Sequence, residues 1–269
     1  TRVLTAVILL PAAVGIIYLG GLPLLVLVAL LFSTAEVEFC HLVVQDDFQP
    51  SLGFGVGILG LYLLDAYLTT QLPSPASNLL QPTLALVFLM SLGWQLFRRH
   101  QGRSIADWAL TVASGSYLGI CGSCLIRMRG LPDGFGWMLV TLCTIMAADT
   151  GAYFAGQAWG KHKLAPLLSP GKTWEGYLAG IAIGAPVPML LGLLWLHPRQ
   201  IDHVIYRLVL GLLISSLAPL GDLVISMIKR QVGAKDSGSI MPGHGGALDR
   251  LDSVLWAAVI GYYYILALL

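Results

Sequence analysis

"VIYRLVLGLLISSLAPLGDLVISMIKR", residues 204–230, is apolar enough to cross a bilayer for most of its length and then turns abruptly basic. From Val204 to Ile228 it carries charge only at Arg207 and Asp222, and it ends on Lys229 and Arg230. A helix needs roughly 20 residues to span a hydrocarbon core about 30 Å thick, and this stretch meets that requirement. The rest of the chain repeats the pattern. Of 269 residues, 57% are hydrophobic and 11% are charged, and the mean hydropathy is +0.79. Ordinary soluble domains carry about 25% charged residues, so the composition identifies an integral membrane protein. The apolar runs lack the roughly ten-residue alternation of a membrane barrel, so the spans are expected to be helices.

Nine such runs can be drawn: 3–19, 21–39, 52–69, 81–97, 105–126, 134–156, 176–196, 204–228 and 251–269. The expected fold is therefore an all-α polytopic membrane protein with about nine transmembrane helices. The first run has the length of a retained span and lacks the small-residue site that ends a cleaved signal. Lys and Arg resist translocation, and alternating spans place eleven of them on one side: Arg2, Arg98, Arg99, Arg103, Lys161, Lys163, Lys172, Lys229, Arg230, Lys235 and Arg250. Arg127, Arg129, Arg199 and Arg207 fall on the other. The imbalance predicts a cytosolic N-terminus and a cytosolic face for the 157–175 loop and the segment after residue 228. A net charge of +1 makes these basic residues a local device and argues against nucleic acid as a partner.

Charge also divides the chain lengthwise. Residues 1–97 hold few charged groups beyond Glu36, Glu38, Asp46, Asp47 and Asp65, and are read as N-terminal helices for packing or lipid contact, with no site assigned. Residues 98–269 are read as the catalytic region. "TQLPSPASNLLQP" (70–82) is a proline-punctuated surface loop. Cys40, Cys121, Cys124 and Cys143 lie in or beside apolar runs, and without a second ligand pair Cys121 and Cys124 read as small residues at a helix interface. No disulfide is implied.

Four elements of the second half carry chemistry. Asp149 lies within an apolar run in "MAADTGAYFAGQAWGKHK" (146–163), where a carboxylate is expensive and usually faces a polar site. "LSPGKTWEG" (168–176) combines a Ser-Pro-Gly turn, Lys172, and Ser169 or Thr173 as a helix cap with Glu175 in the first turn. Backbone amides and a lysine at such a turn suit an anionic group. Asp222 follows Pro219 and Gly221, where a helix can open, and Ser226 with Lys229 or Arg230 can share its face. The fourth element is "KRQVGAKDSGSIMPGHGGALDRLD" (229–252). It holds His244 between glycines and ends with Asp249 and Asp252 three apart. Carboxylates held this closely repel unless a cation lies between them, and an all-oxygen donor set favours Mg²⁺, Mn²⁺ or Ca²⁺ over zinc. Carboxylates holding a metal, with Lys and Arg around it, are the apparatus of phosphoryl or nucleotidyl transfer. His244 is open to a proton-transfer or a positional role.

"SMIKRQVGAKDSGSIMPGHGGALDRLDS" (226–253), with "DTGAYFAG" and "SPGKTWEG" upstream, resembles the signature of the CDP-diacylglycerol synthases, or phosphatidate cytidylyltransferases. The likeness covers residues 146–253 by motif and departs only in apolar size, at Met241 and Ala247. It implies transfer of CMP from CTP to phosphatidic acid, giving CDP-diacylglycerol and pyrophosphate, by in-line attack of the lipid phosphate on the α-phosphorus. Asp222, Asp249 and Asp252 would then be the metal-holding carboxylates for Mg²⁺, with K⁺ as a second cation shared with Asp149. Lys172, Lys229, Arg230, Lys235 and Arg250 would meet phosphates, and Asp236 and Ser226 would orient them. The resemblance also implies a homodimer in a bacterial cytoplasmic (inner) membrane, with the active site facing the cytosol. Two other classes stay open. A cation transporter also places carboxylates in helices but has no use for clustered basic pairs. A CDP-alcohol phosphotransferase would show a DxxDGxxAR…GxxxDxxxD pattern, which this chain lacks.

Overall fold

The computed structural model describes residues 2–71, 80–97, 103–195, 204–238 and 246–269. Eleven helices and one hairpin follow in order: α1 (Arg2–Leu19), α2 (Gly21–Val44), α3 (Leu52–Gln71), α4 (Leu80–Gln95), α5 (Ser104–Gly130), α6 (Gly134–Trp159), β1 (Lys163–Ala165), β2 (Ser169–Thr173), α7 (Trp174–Gly184), α8 (Val187–Trp195), α9 (Val204–Leu217), α10 (Pro219–Gln231) and α11 (Leu248–Leu268). Each of the nine predicted runs coincides with helix, two of them broken in the middle. Among the described residues, seven helical stretches are long and apolar enough to cross a membrane, so the chain is a polytopic membrane protein. The edges move most at α2, which continues to Val44 where hydropathy alone stops at residue 39. Most of the 70–82 loop, at 72–79, lies outside the described residues.

The chain falls into two compact units. One comprises Thr1–Arg127 with Gln231–Arg250, the other Met128–Arg230 with Leu251–Leu269. In the first, α5 turns Gly115, Gly119 and Gly122 towards its neighbours. A Cβ at these positions would strike the Gly55 backbone, Tyr62 and Leu59, or Leu63 and Phe32. Close approach of helix backbones takes the place of the hydrophobic drive that lipid cannot supply. Cys121 and Cys124 are buried free thiols of α5, as expected of interface residues. The start of α3 is held by α5, since Asp107 Oδ1 accepts from Gln49 N (2.7 Å) and Thr111 Oγ1 from Ser51 N (2.8 Å). Asp65 and Arg127 form an ion pair between α3 and α5, so neither is a loop charge.

The second unit is organised by a seam of small residues. Gly176, Gly180 and Gly184 recur every four residues along α7 and face Ala148, Ala152 and Gly156 of α6. A Cβ at Gly180 would lie 2.8 Å from the Ala148 carbonyl, and one at Gly176 2.6 Å from that of Ala152. The span predicted over 176–196 divides into α7 and α8. The span over 204–228 divides into α9 and α10 at Ala218, immediately before Pro219, which has no N–H to continue the ladder. Carbonyls near that break find other donors: Tyr177 Oη donates to Ser216 O (2.7 Å) and Lys172 Nζ to Pro219 O (3.2 Å).

Candidate active site

The Ser-Pro-Gly stretch at 169–171, expected as a turn, opens the second strand of a two-stranded antiparallel hairpin pairing Lys163 with Thr173 and Ala165 with Ser169. Of the two candidate caps, Thr173 is the one used. Its Oγ1 accepts from Gly176 N at 3.2 Å, while Ser169 opens β2. Glu175, in the first turn of α7, reaches back to the Lys161 and His162 amides (3.1 and 3.2 Å) and to His162 Nδ1 (2.6 Å). This grip ties the hairpin to the helix that follows, and the hairpin carries Lys172.

Lys172 meets α10. Its ammonium lies 2.8 Å from Asp222 Oδ2, and Ser226 Oγ, one turn along α10, donates to Asp222 Oδ1 at 3.2 Å. Ser226 thus orients a carboxylate, and of the shared helical face read from spacing the i, i+4 contact of Asp222 with Ser226 is present. Asp149 of α6 and Asp252 of α11 lie within electrostatic range of Lys172 and Asp222. The backbone permits this approach at Gly221, where a Cβ would strike the Asp252 carbonyl and Trp256. Asp252 Oδ1 also accepts from Ser253 N (2.6 Å). Farther along α10, Arg230 Nε donates to Leu168 O of the hairpin (3.3 Å). The second unit therefore brings together Asp149, Lys172, Asp222, Ser226 and Asp252, and adds Arg230 at the end of the same helix.

Asp249 belongs to the first unit, in the first turn of α11, where its Oδ2 accepts from Ser237 N at 2.9 Å. Lys235 and Asp236 are exposed on the segment following α10, and Arg250 is exposed on α11. Lys229 is half-buried. His244 lies outside the described residues. Among the described residues, no three Asp, Glu, His or Cys side chains converge closely enough to form a metal cage by themselves. The donors are nonetheless all carboxylate oxygens, the kind a hard divalent cation takes. Mg²⁺ in particular is usually held by one or two carboxylates with water and substrate phosphates, with no all-protein cage.

Sequence reading assigned no site residue before 98, yet Glu38 of α2 contacts the signature segment. Its side chain is 1% exposed. It accepts from Ala247 N and Leu248 N (both 2.9 Å) and from Ser237 Oγ (3.2 Å), and so bonds to both described stretches of the signature segment, 226–238 and 246–253. Glu36, two residues away and on another face of α2, accepts from Ser114 Oγ at 2.7 Å. The signal was present in the sequence, because two carboxylates inside an apolar run are costly.

Comparison with known proteins agrees with the motif reading. The profile of the Cytidylyltransferase family matches residues 1–268. Among curated proteins, a phosphatidate cytidylyltransferase of Bacillus subtilis is 32% identical over 99% of this chain and 97% of its own length. The phosphatidate cytidylyltransferases of Staphylococcus haemolyticus and Staphylococcus aureus are each 33% identical, over 95% of this chain and 94% of theirs.

Proposed function

The chain belongs to the cytidylyltransferase family and is a nucleotidyltransferase of the membrane, and from that premise we propose that it transfers CMP from CTP to phosphatidic acid. The observation that carries this reading is the seating of Lys172 on Asp222, in the first turn of α10, within electrostatic range of Asp149 and Asp252. A cation among carboxylates at that position suits a polyphosphate headed for a lipid headgroup.

A lipid phosphate oxygen attacks the α-phosphorus of CTP, the α–β anhydride bond breaks, and pyrophosphate leaves with the electron pair. Phosphate monoesters lose their second proton at about pH 6, so the nucleophile needs no base and no covalent enzyme intermediate forms. Lys172, Lys229, Arg230, Lys235 and Arg250 bind phosphates and hold the two substrates in line, which is the larger part of catalysis in this chemistry. Ser226 keeps Asp222 oriented, and Asp236 and His244 orient phosphate-binding groups of the signature segment. Asp222 and Asp252 of the second unit are residues that would hold Mg²⁺, which when bound neutralises charge developing on the phosphates, and Asp249 is assigned to the metal on the family resemblance alone. If nine spans alternate, the excess of Lys and Arg on one side places the N-terminus and the site on the cytosolic side, and the bacterial inner membrane is assigned on the family resemblance. We assign a homodimer on the family resemblance alone.

The test is pyrophosphate release by purified protein in detergent micelles containing phosphatidic acid, CTP and Mg²⁺. Release that requires all three is expected. No release from folded protein, with Mg²⁺-stimulated ion flux in vesicles instead, would overturn the proposal in favour of a cation pathway.

A further inference from the structure

We propose that Glu38 is a positioning residue for this reaction, a buried carboxylate that fixes the segment leading into α11 and thereby sets Asp249. The inference rests on the assignment of Asp249 to the site. Glu38 stands in the C-terminal third of α2, far in sequence from the elements that carry the phosphate-binding groups. It nevertheless gathers three donors from the signature segment: the Ala247 and Leu248 amides, both at 2.9 Å, and the Ser237 hydroxyl at 3.2 Å. Ser237 then donates its own amide to Asp249 Oδ2 at 2.9 Å. A chain of hydrogen bonds therefore runs from Glu38 through Ser237 to Asp249, and a second route reaches Asp249 through the first turn of its own helix.

Two signature glycines are explained by the same carboxylate. A Cβ at Gly238 would meet Glu38 Oε1 at 2.9 Å and two further atoms of the Glu38 side chain, and a Cβ at Gly246 would meet Glu38 Oε2 at 2.6 Å. The segment folds around Glu38 with no space for a methyl group on either side. A carboxylate is required here because it offers acceptor positions only, enough for three donors. The isosteric amide would turn its own N–H groups towards donors that are already buried.

The discriminating variant is Glu38→Gln, with Glu38→Asp as the conservative partner. Hydrogen exchange of the Ala247 and Leu248 amides is expected to rise about tenfold or more in E38Q, since each loses a charge-assisted acceptor. The Mg²⁺ concentration for half-maximal pyrophosphate release should rise and kcat/KM for CTP should fall by about 10–100-fold, while KM for phosphatidic acid stays within about twofold. E38D, which keeps the charge, should recover part of both effects. If E38Q fails to fold, a cycle of Gly238→Ala and Glu38→Ala decides the matter. G238A should cost activity beside Glu38 and little more once Glu38 is gone, as expected of groups in direct contact. Unchanged exchange at 247 and 248, raised exchange with unchanged Mg²⁺ dependence, or additive effects in the cycle would each overturn the positioning role. Absence of pyrophosphate release from the wild type would instead overturn the catalytic reading, and the exchange measurement distinguishes that failure because it needs no turnover.

Discussion

Replacing Lys172 with alanine separates two roles that the structure gives one side chain. As a structural group, Lys172 pairs with Asp222 at 2.8 Å while the two side chains remain 25% and 33% exposed. Pairs this open to solvent contribute about 0.2–1 kcal/mol, so loss of the pair should lower Tm by no more than about 2–4 °C in a chain of this size. As a phosphate ligand it supplies a charged hydrogen bond, for which about 1.5–3 kcal/mol is typical, corresponding to roughly a 10–150-fold loss in kcat/KM. Pyrophosphate release under saturating lipid, followed by thermal unfolding of the same preparation, measures both quantities. The expected outcome is a large kinetic loss on a nearly unshifted melting curve. K172R should restore less than its charge suggests, because a planar fork does not replace a point charge that also reaches the Pro219 carbonyl. A lowered Tm with unchanged kinetics for both substrates would refute the phosphate role and leave Lys172 as a strut between the hairpin and α10.

Asp249→Asn changes charge without size and keeps an acceptor for the Ser237 amide; turnover is expected to fall about 100-fold or more with the fold intact, and substantial activity at saturating Mg²⁺ would count against a metal role. Gly180→Leu forces a branched side chain against the Ala148 carbonyl and should destabilise the second unit by about 1–3 kcal/mol, read as a lower Tm in detergent and loss of monodispersity. An unshifted melt would mean that α6 and α7 separate more easily than their spacing indicates.

The helices were legible because hydropathy needs only composition and length, and both are local. The breaks inside two spans were legible in their prolines: Pro219 announces the α9–α10 interruption, and Pro186, with Pro188 just after it, marks the division of α7 from α8, although hydropathy runs unbroken through both. The Asp222–Ser226 contact followed from helical spacing, and Thr173 as a cap from the rule that hydroxyls precede first turns. The hairpin at 163–173 escaped because its strands are three and five residues long, too short for an alternation to register. Glu38 escaped for a different reason. Its partners stand about 200 residues away in the chain, and a single sequence carries no pairing information over such a distance. Asp149, Lys172 and Asp222 were named from separate motifs, and only the packing of α6, the hairpin and α10 shows that they are neighbours.

The seam between α6 and α7 also determines what surrounding lipid encounters. Helices that approach to backbone contact leave no cleft for an acyl chain, so the bilayer meets the pair as one broad ribbon and solvates only its outer edges. Along those edges Met146, Phe154 and Leu178 stand exposed, and exchanging one oily residue for another there alters little beyond the texture of the lipid contact. Along the seam, one added methyl group has to move a helix. Mutational tolerance should therefore follow a stripe pattern around this pair, free on the outside and nearly absent within, and the loop that bears Lys172 inherits its steadiness from the intolerant side.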